Sequence, residues 1–456
     1  MTMARKLALA LCSLSLVGCA TAPVGMMSKL APAKVDAGQA APAKGTSTQS
    51  PVARVSPDYL AAHLGKGVTV PGFDRRHVQS GTAYYVSTTG DDSAGDGSKT
   101  NPWRTITFGS SNLQPGDILL VAGGEYDEDA VIACNGTGAN PIQIYPQAGT
   151  GTPLIYSTSP VAALTISGIG LIVKGFDVHN RSTDGHGAGI LVTGNGTVTT
   201  GTTIAECEVD GAPGTGIVVT GEWTYLFGDD VLNNGNSLYP VDDQGDGIRV
   251  QASRTYVSAC AIAGNKVSGI RADGPTAMSG LNIYKNYLYA NGTNTSNGIG
   301  LQFANNVTGA YAWSNVIAGN RREGVLINGN AQNVNVSYNA VVANQNAGLR
   351  LYSTASSPTV FKNAVSRNVG EQLDYYPTPQ TNSDQNILFN GTGTYVANNF
   401  LATAYFSVAA FSAASGTDAN STAQDPQFYN VPTFGFDVSQ IWCYDFHTTL
   451  IPELQP

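Results

Sequence analysis

Residues 247–272 read GIRVQASRTYVSACAIAGNKVSGIRA, and the two ends of this stretch are near copies: Gly247-Ile248-Arg249-Val250 and Gly269-Ile270-Arg271-Ala272. The same pattern, a glycine leading into an aliphatic strand, occurs at Gly189-Ile190-Leu191-Val192, Gly216-Ile217-Val218-Val219, Gly298-Ile299-Gly300-Leu301, Gly324-Val325-Leu326-Ile327 and Gly348-Leu349-Arg350-Leu351. Successive glycines are 27, 31, 22, 29, 26 and 24 residues apart. That is the period of a solenoid, and a β-propeller blade needs roughly 40 residues or more.

A second register runs through Cys207, Asp230, Cys260, Asn286, Asn315, Asn339 and Asn363. Two places on stand Val209, Leu232, Ile262, Leu288, Ile317, Val341 and Val365, an inward-facing aliphatic column. Five places after the last five members of that register, Asn265, Asn291, Asn320, Asn344 and Asn368 make a further column. Stacked Asn side chains can bond from coil to coil, and Asn tolerates the left-handed backbone of a sharp corner. Each repeat is too small to bury a face alone, so stacking must do it. The expected fold is all-β, a parallel β-helix of about ten coils from about residue 115 to 400, with neighbouring strands about 4.8 Å apart.

Composition agrees. Of 456 residues 53 are Gly and 35 Asn, every Asn lies after residue 100, and only 12 % are Lys, Arg, Asp or Glu. So much Gly and Asn disfavours long helices. A net charge of -9 without a Lys/Arg run argues against nucleic acid as a partner. Cys134, Cys207, Cys260 and Cys443 have no zinc-type spacing, and the repeat sets Cys207 and Cys260 two layers apart, so they read as small buried hydrophobes.

The N-terminus has Arg5 and Lys6, an apolar run Leu7 to Val17, and then Gly18-Cys19, an arrangement that resembles a bacterial lipobox. This resemblance implies a lipid-bearing Cys19 that anchors the protein in the outer membrane of a cell envelope. Residues 20–80, rich in Ala, Pro, Ser and Thr, read as a tether. The expected layout is therefore a signal at 1–19, a tether at 20–80, an N-terminal cap module at 81–130, the β-helix at 131–400 and a C-terminal cap at 401–456. From Phe400 onward 11 of 57 residues are aromatic, among them Phe434, Phe436, Trp442, Tyr444 and Phe446. Capped ends imply a monomer.

Several segments, among them Tyr84-Tyr85-Val86-Ser87, Asn101-Pro102-Trp103-Arg104-Thr105-Ile106, Leu113-Gln114-Pro115-Gly116-Asp117 and Gly168-Ile169-Gly170-Leu171, resemble right-handed parallel β-helix proteins of the pectate-lyase-like superfamily. The pattern is similar to a bacterial subgroup related to family 9 polysaccharide lyases. The resemblance implies recognition, and β-elimination, of an acidic polysaccharide. Its members also include epimerases, hydrolases and proteins without known chemistry, so a non-catalytic surface scaffold or adhesin is the competing expectation.

The outward column next to the inward aliphatics runs Leu191, Val218, Arg249, Arg271, Gly300, Leu326, Arg350, and two places on run Thr193, Thr220, Gln251, Asp273, Gln302, Asn328, Tyr352. Arg249 and Arg271 are thus neighbours whose repulsion calls for an anion, either Asp273 or a substrate carboxylate. Asp242, Asp243 and Asp246, three carboxylates in five residues, can supply oxygens to Ca²⁺. Asp246-Gly247-Ile248-Arg249 resembles the family segment that precedes the catalytic Lys, but Gln251 stands where that Lys would be, and the next coil has Val267-Ser268-Gly269 in place of an acidic calcium segment. The candidate bases are then Arg249, Arg271 and His186, with Asp273 and Gln251 as binding residues. Tyr284 and Trp313, at equivalent outward positions, are a candidate sugar platform. Paired carboxylates from Asp229, Asp230, Asp243 and Asp246 would suit glycoside hydrolysis. Asp91, Asp92 and Asp96 read as turn residues.

Overall fold

Two tight corners divide each repeat into three short strands. At the first corner a residue with positive φ precedes a buried polar side chain: Lys285 (56°) before Asn286, Ser314 (54°) before Asn315, Tyr338 (56°) before Asn339, Lys362 (53°) before Asn363. At the second corner Ala290 (52°) precedes Asn291, Gly319 (60°) precedes Asn320, and Ala343 (55°) precedes Asn344. The left-handed position therefore belongs to the residue before each Asn, which corrects the expectation that Asn itself takes it. Such a φ costs a non-glycine residue about 1–2 kcal/mol, and the asparagines offset that cost by bonding along the stack.

The chain, a computed structural model, is described at residues 81–235, 244–293, 297–352, 358–375, 381–390, 396–399 and 403–426, all within the unit Pro51–Pro456. Cys19, the tether, Asp242, Asp243, Cys443 and the aromatics from Phe434 to Phe446 lie outside the described residues. In the first ladder the main-chain N–H and the Nδ2 of Asn286 both donate to Asn315 Oδ1 at 3.0 Å, and the pattern continues through Asn339 and Asn363 to Asn386. The second ladder runs Asn234, Asn265, Asn291, Asn320, Asn344, Asn368 and ends on Gln372.

Three sheets of 12, 12 and 11 strands result. The first runs from Ala83–Val86 to Asn382–Asp384, the second from Ala130–Ile132 to Thr403–Tyr405, and the third from Gly124–Asp127 to Ile387–Phe389. Neighbouring strands are parallel and in register, apart from the antiparallel closing pair Ala397–Asn399 and Thr403–Tyr405. Inward columns such as Val257, Ile283, Ala312, Val336 and Val360 are fully buried or within 1 % of it. Each large aliphatic there stabilises the stack by about 1.5–3 kcal/mol.

Two expected alignments slip. Cys207 N–H donates to Asp229 Oδ1, and Glu208 pairs with Asp230, so Asp229 and not Asp230 occupies the ladder position and Val231 the inward one. Ile270 pairs with Leu301, so Gly300 is the repeat glycine rather than Gly298, and Gln302 follows Arg271 in the outward column. Glycine is required there because a Cβ on Gly300 would lie 2.7 Å from the Gly324 carbonyl oxygen and 2.4 Å from Ile317.

The region expected as an N-terminal cap module contributes strands to all three sheets. Its helix α1, Ile106–Ser111, closes the end of the stack against the strands Ala83–Val86, Ile118–Val121 and Ala130–Ile132. The Glu128 carboxylate accepts from the N–H groups of Ile106 and Thr107 at the helix start. Asp91 accepts from Ser93 and Ala94 N–H, Asp92 from Arg104 and Thr105, and Asp96 from Ser98, as turn residues do. At the far end α2, Val408–Ser415, sets Phe411 edge-on to Tyr375 and Tyr405.

Candidate functional site

Strand alternation decides which side chains the second sheet presents. Ile248, Val250, Ile270 and Ala272 are buried inward, so Arg249 and Arg271 point outward from adjacent coils, in register. Asp273, one turn of the pleat beyond Arg271, is their shared carboxylate: its Oδ2 is 2.6 Å from Arg271 Nη2 and 3.8 Å from Arg249 Nη2. Gln251 Nε2 donates to the Asp273 carbonyl oxygen at 3.4 Å. Four of the expected site residues therefore converge. All are half-buried, with the two guanidinium side chains 20 % and 16 % exposed, so the charges act through a medium less screening than bulk water.

Asp246 takes a structural place among the described residues. It is fully buried, and its Oδ1 accepts from the Ser268 N–H of the next coil at 3.0 Å. No group of three His, Cys, Asp or Glu among the described residues is arranged to hold a metal ion. Of the three carboxylates expected to hold calcium, Asp246 is the one among the described residues, and one of its oxygens bonds to the backbone of the next coil. Asp229 is likewise buried in the first ladder, where burial pushes its carboxyl well above the usual carboxylate range. It faces no open surface on which a sugar could be hydrolysed.

His186 stands apart. It is exposed at a corner two coils before Arg249, and its Nδ1 lies 2.7 Å from the Asp184 carbonyl oxygen. Tyr284 and Trp313 do pair in register on the first sheet, with ring centroids 4.6 Å apart and planes parallel. Rings stacked between adjacent coils have their faces along the stack axis. A sugar lying on the surface would meet ring edges, so this pair packs the sheet.

A second ion cluster on the same face escaped sequence reasoning. Arg350 Nε donates to Asp374 Oδ2 at 2.8 Å, Arg350 Nη1 to Glu323 Oε1, and the Tyr352 hydroxyl to Asp374 Oδ2 at 3.1 Å. Asn346 and Arg322 also donate to Glu323 Oε1, and Glu371 stands 3.8 Å from Arg350. Glu323 and Asp374 are fully buried, and their second oxygens, Oε2 and Oδ1, have no hydrogen-bond partner among the described residues. Burial holds the Asp374 carboxyl above its ordinary value even against Arg350, and pushes the Tyr352 hydroxyl up to about 12. The available signal was an acid before the repeat glycine, Glu323-Gly324, as in Asp246-Gly247. Three carboxylates, Glu323, Glu371 and Asp374, thus stand around Arg350.

The three parallel sheets, one inward column per strand and coil-to-coil ladders leave one architecture. The chain is a right-handed parallel β-helix. The family described as right handed beta helix region matches residues 188–404. Among solved structures, pectate lyase Pel9A superposes with a TM-score of 0.53 at 16 % identity, over 70 % of this chain and 82 % of that one. The periplasmic alginate epimerase AlgG gives a TM-score of 0.42 at 17 % identity, over 66 % and 71 %. A GH136 lacto-N-biosidase from Eubacterium ramulus gives 0.41 at 14 %, over 75 % and 67 %. No curated protein matches the sequence. At 16 % identity the likeness to the pectate lyase is one of fold, and the chemistry of the site rests on this chain's own residues.

Proposed function

We propose that this β-helix binds an acidic polysaccharide along the outer face of its second sheet, at Arg249 and Arg271. The observation that carries the reading is the in-register arginine pair converging on one Asp273 oxygen. Guanidinium groups recognise carboxylates with two parallel hydrogen bonds, and a uronate chain presents carboxylates at a regular spacing. Gln302, next in the column, donates to Asn328 Oδ1 at 3.2 Å and continues a polar track for sugar hydroxyls. The fold shared with a pectate lyase supports the same class of ligand.

Cleavage asks more. A base must remove a proton, and a guanidinium is ill suited to that role, with Arg271 here engaged by Asp273 at 2.6 Å. The geometry thus favours binding over proton abstraction by this pair. Calcium held by Asp242, Asp243 and Asp246 would add to carboxylate recognition, and lipidation of Cys19 would place the protein, as a monomer, at an envelope membrane. Cys19→Ala should then move it to the soluble fraction.

Binding of polygalacturonate and alginate by the purified chain, with and without Ca²⁺, tests the reading. Arg249→Gln and Arg271→Gln should each weaken binding about tenfold, equivalent to about 1.4 kcal/mol. Equal binding of a neutral glucan, or no uronate binding at all, would leave the scaffold reading. An ultraviolet absorbance rise in the same mixtures would report β-elimination.

A further inference from the structure

Five consecutive strands of the first sheet, Tyr256–Ser258, Leu281–Tyr284, Ala310–Trp313, Val334–Ser337 and Thr359–Phe361, contain no charged residue. Their residues Val257, Ile283, Ala312, Val336 and Val360 fill the core. Tyr256, Asn282, Tyr311, Asn335 and Thr359 therefore stand in register on the outer face, one per coil and about 4.8 Å apart. Tyr311, in the middle of this column, is 54 % exposed. Tyr256 stacks on Tyr225 of the preceding coil, with ring centroids 4.9 Å apart. Tyr311 instead has Asn282 and Asn335 as its neighbours, and its side chain makes no ring contact or hydrogen bond among the described residues. The side chains of Asn335 and Thr359 likewise have no hydrogen-bond partner among the described residues.

That combination suits an uncharged saccharide. An unstacked phenol ring offers its face to the C–H face of a pyranose, and its hydroxyl and the flanking amides both donate and accept hydrogen bonds, as sugar hydroxyls do. A carboxylate laid along the same column would meet no cation in these five strands, in contrast to Arg249 and Arg271 on the second sheet. A second copy of the chain is the poorer occupant. The core of a homodimer interface is more apolar than one exposed ring set among two amides and a hydroxyl.

We propose that the outer face of the first sheet, centred on Tyr311 between Asn282 and Asn335, binds a neutral oligosaccharide laid along the stack. It shares no residue with the Arg249–Arg271 pair and does not rest on the acidic-polysaccharide reading. Titration of the purified full chain with neutral hexasaccharides of xylose, mannose and galactose, followed by saturation-transfer NMR, should show saturable binding of at least one of them. Tyr311→Ala should weaken that binding about tenfold, Asn335→Ala about threefold, and Tyr311→Phe, which keeps the ring, less than either. Arg249→Gln should leave it unaltered, and Tyr311→Ala should leave polygalacturonate binding unaltered, so the two sites succeed or fail separately. Binding of none of the three sugars would overturn the proposal, as would binding that both Tyr311→Ala and Asn335→Ala leave unchanged. Self-association of the chain that Tyr311→Ala abolishes, in place of saccharide binding, would overturn it as well. If Tyr311→Ala fails to fold, Asn335→Ala carries the same test.

Discussion

Asp229 occupies a position that Asn fills in four successive coils of the same ladder, from Asn286 to Asn363. Because burial raises its folded value, the folded chain holds the proton more tightly than the unfolded chain. That contribution is present at low pH and is lost as pH rises from about 4 toward the folded value. Asp229→Asn should therefore be more stable than the parent at neutral pH, with the difference closing near pH 4, as read from urea midpoints. Arg350 presents the opposite case. Removing it leaves Glu323 and Asp374 buried without their main counter-charge, so Arg350→Ala should cost about 3–5 kcal/mol. Asp374, already raised by burial, then loses the charge that lowers it and takes up a proton more readily, so the deficit should narrow as pH falls.

At the scale of the element, ladders and glycine columns set how closely coils approach. Asn315→Ala strands the two Asn286 donors and the Ile283 carbonyl, and should cost about 2–5 kcal/mol in chemical denaturation. Gly300→Ala pushes a methyl against a neighbouring backbone carbonyl that cannot move, and should cost about 3 kcal/mol. Gly211, at φ 67°, has open space where a side chain would begin, with nothing within 4 Å, and should lose only about 1 kcal/mol on the same change. These positions were legible because Gly and Asn recur in columns. Where register failed, at Asp230 and Gly298, the cause was local: Asp229-Asp230 and Gly298-Ile299-Gly300 each offer two residues of the same kind one or two places apart.

For the whole molecule, coils contact only their neighbours, so disruption should spread from an end. Ile106→Glu in α1 should reduce hydrogen-exchange protection in residues 118–146 and leave 310–366 protected. The periodic sequence by itself determined the β-helix and the adjacency of Arg249 and Arg271, because each follows from spacing along a one-dimensional stack, whereas the three strands of each coil came from the structure. Tertiary structure alone decided that Asp273 serves both arginines, that Asp246 turns to Ser268, that Tyr284 and Trp313 present edges, and that Glu323 meets Arg350 and Asp374. Those outcomes depend on side-chain direction and on burial between coils, which repeat spacing does not encode.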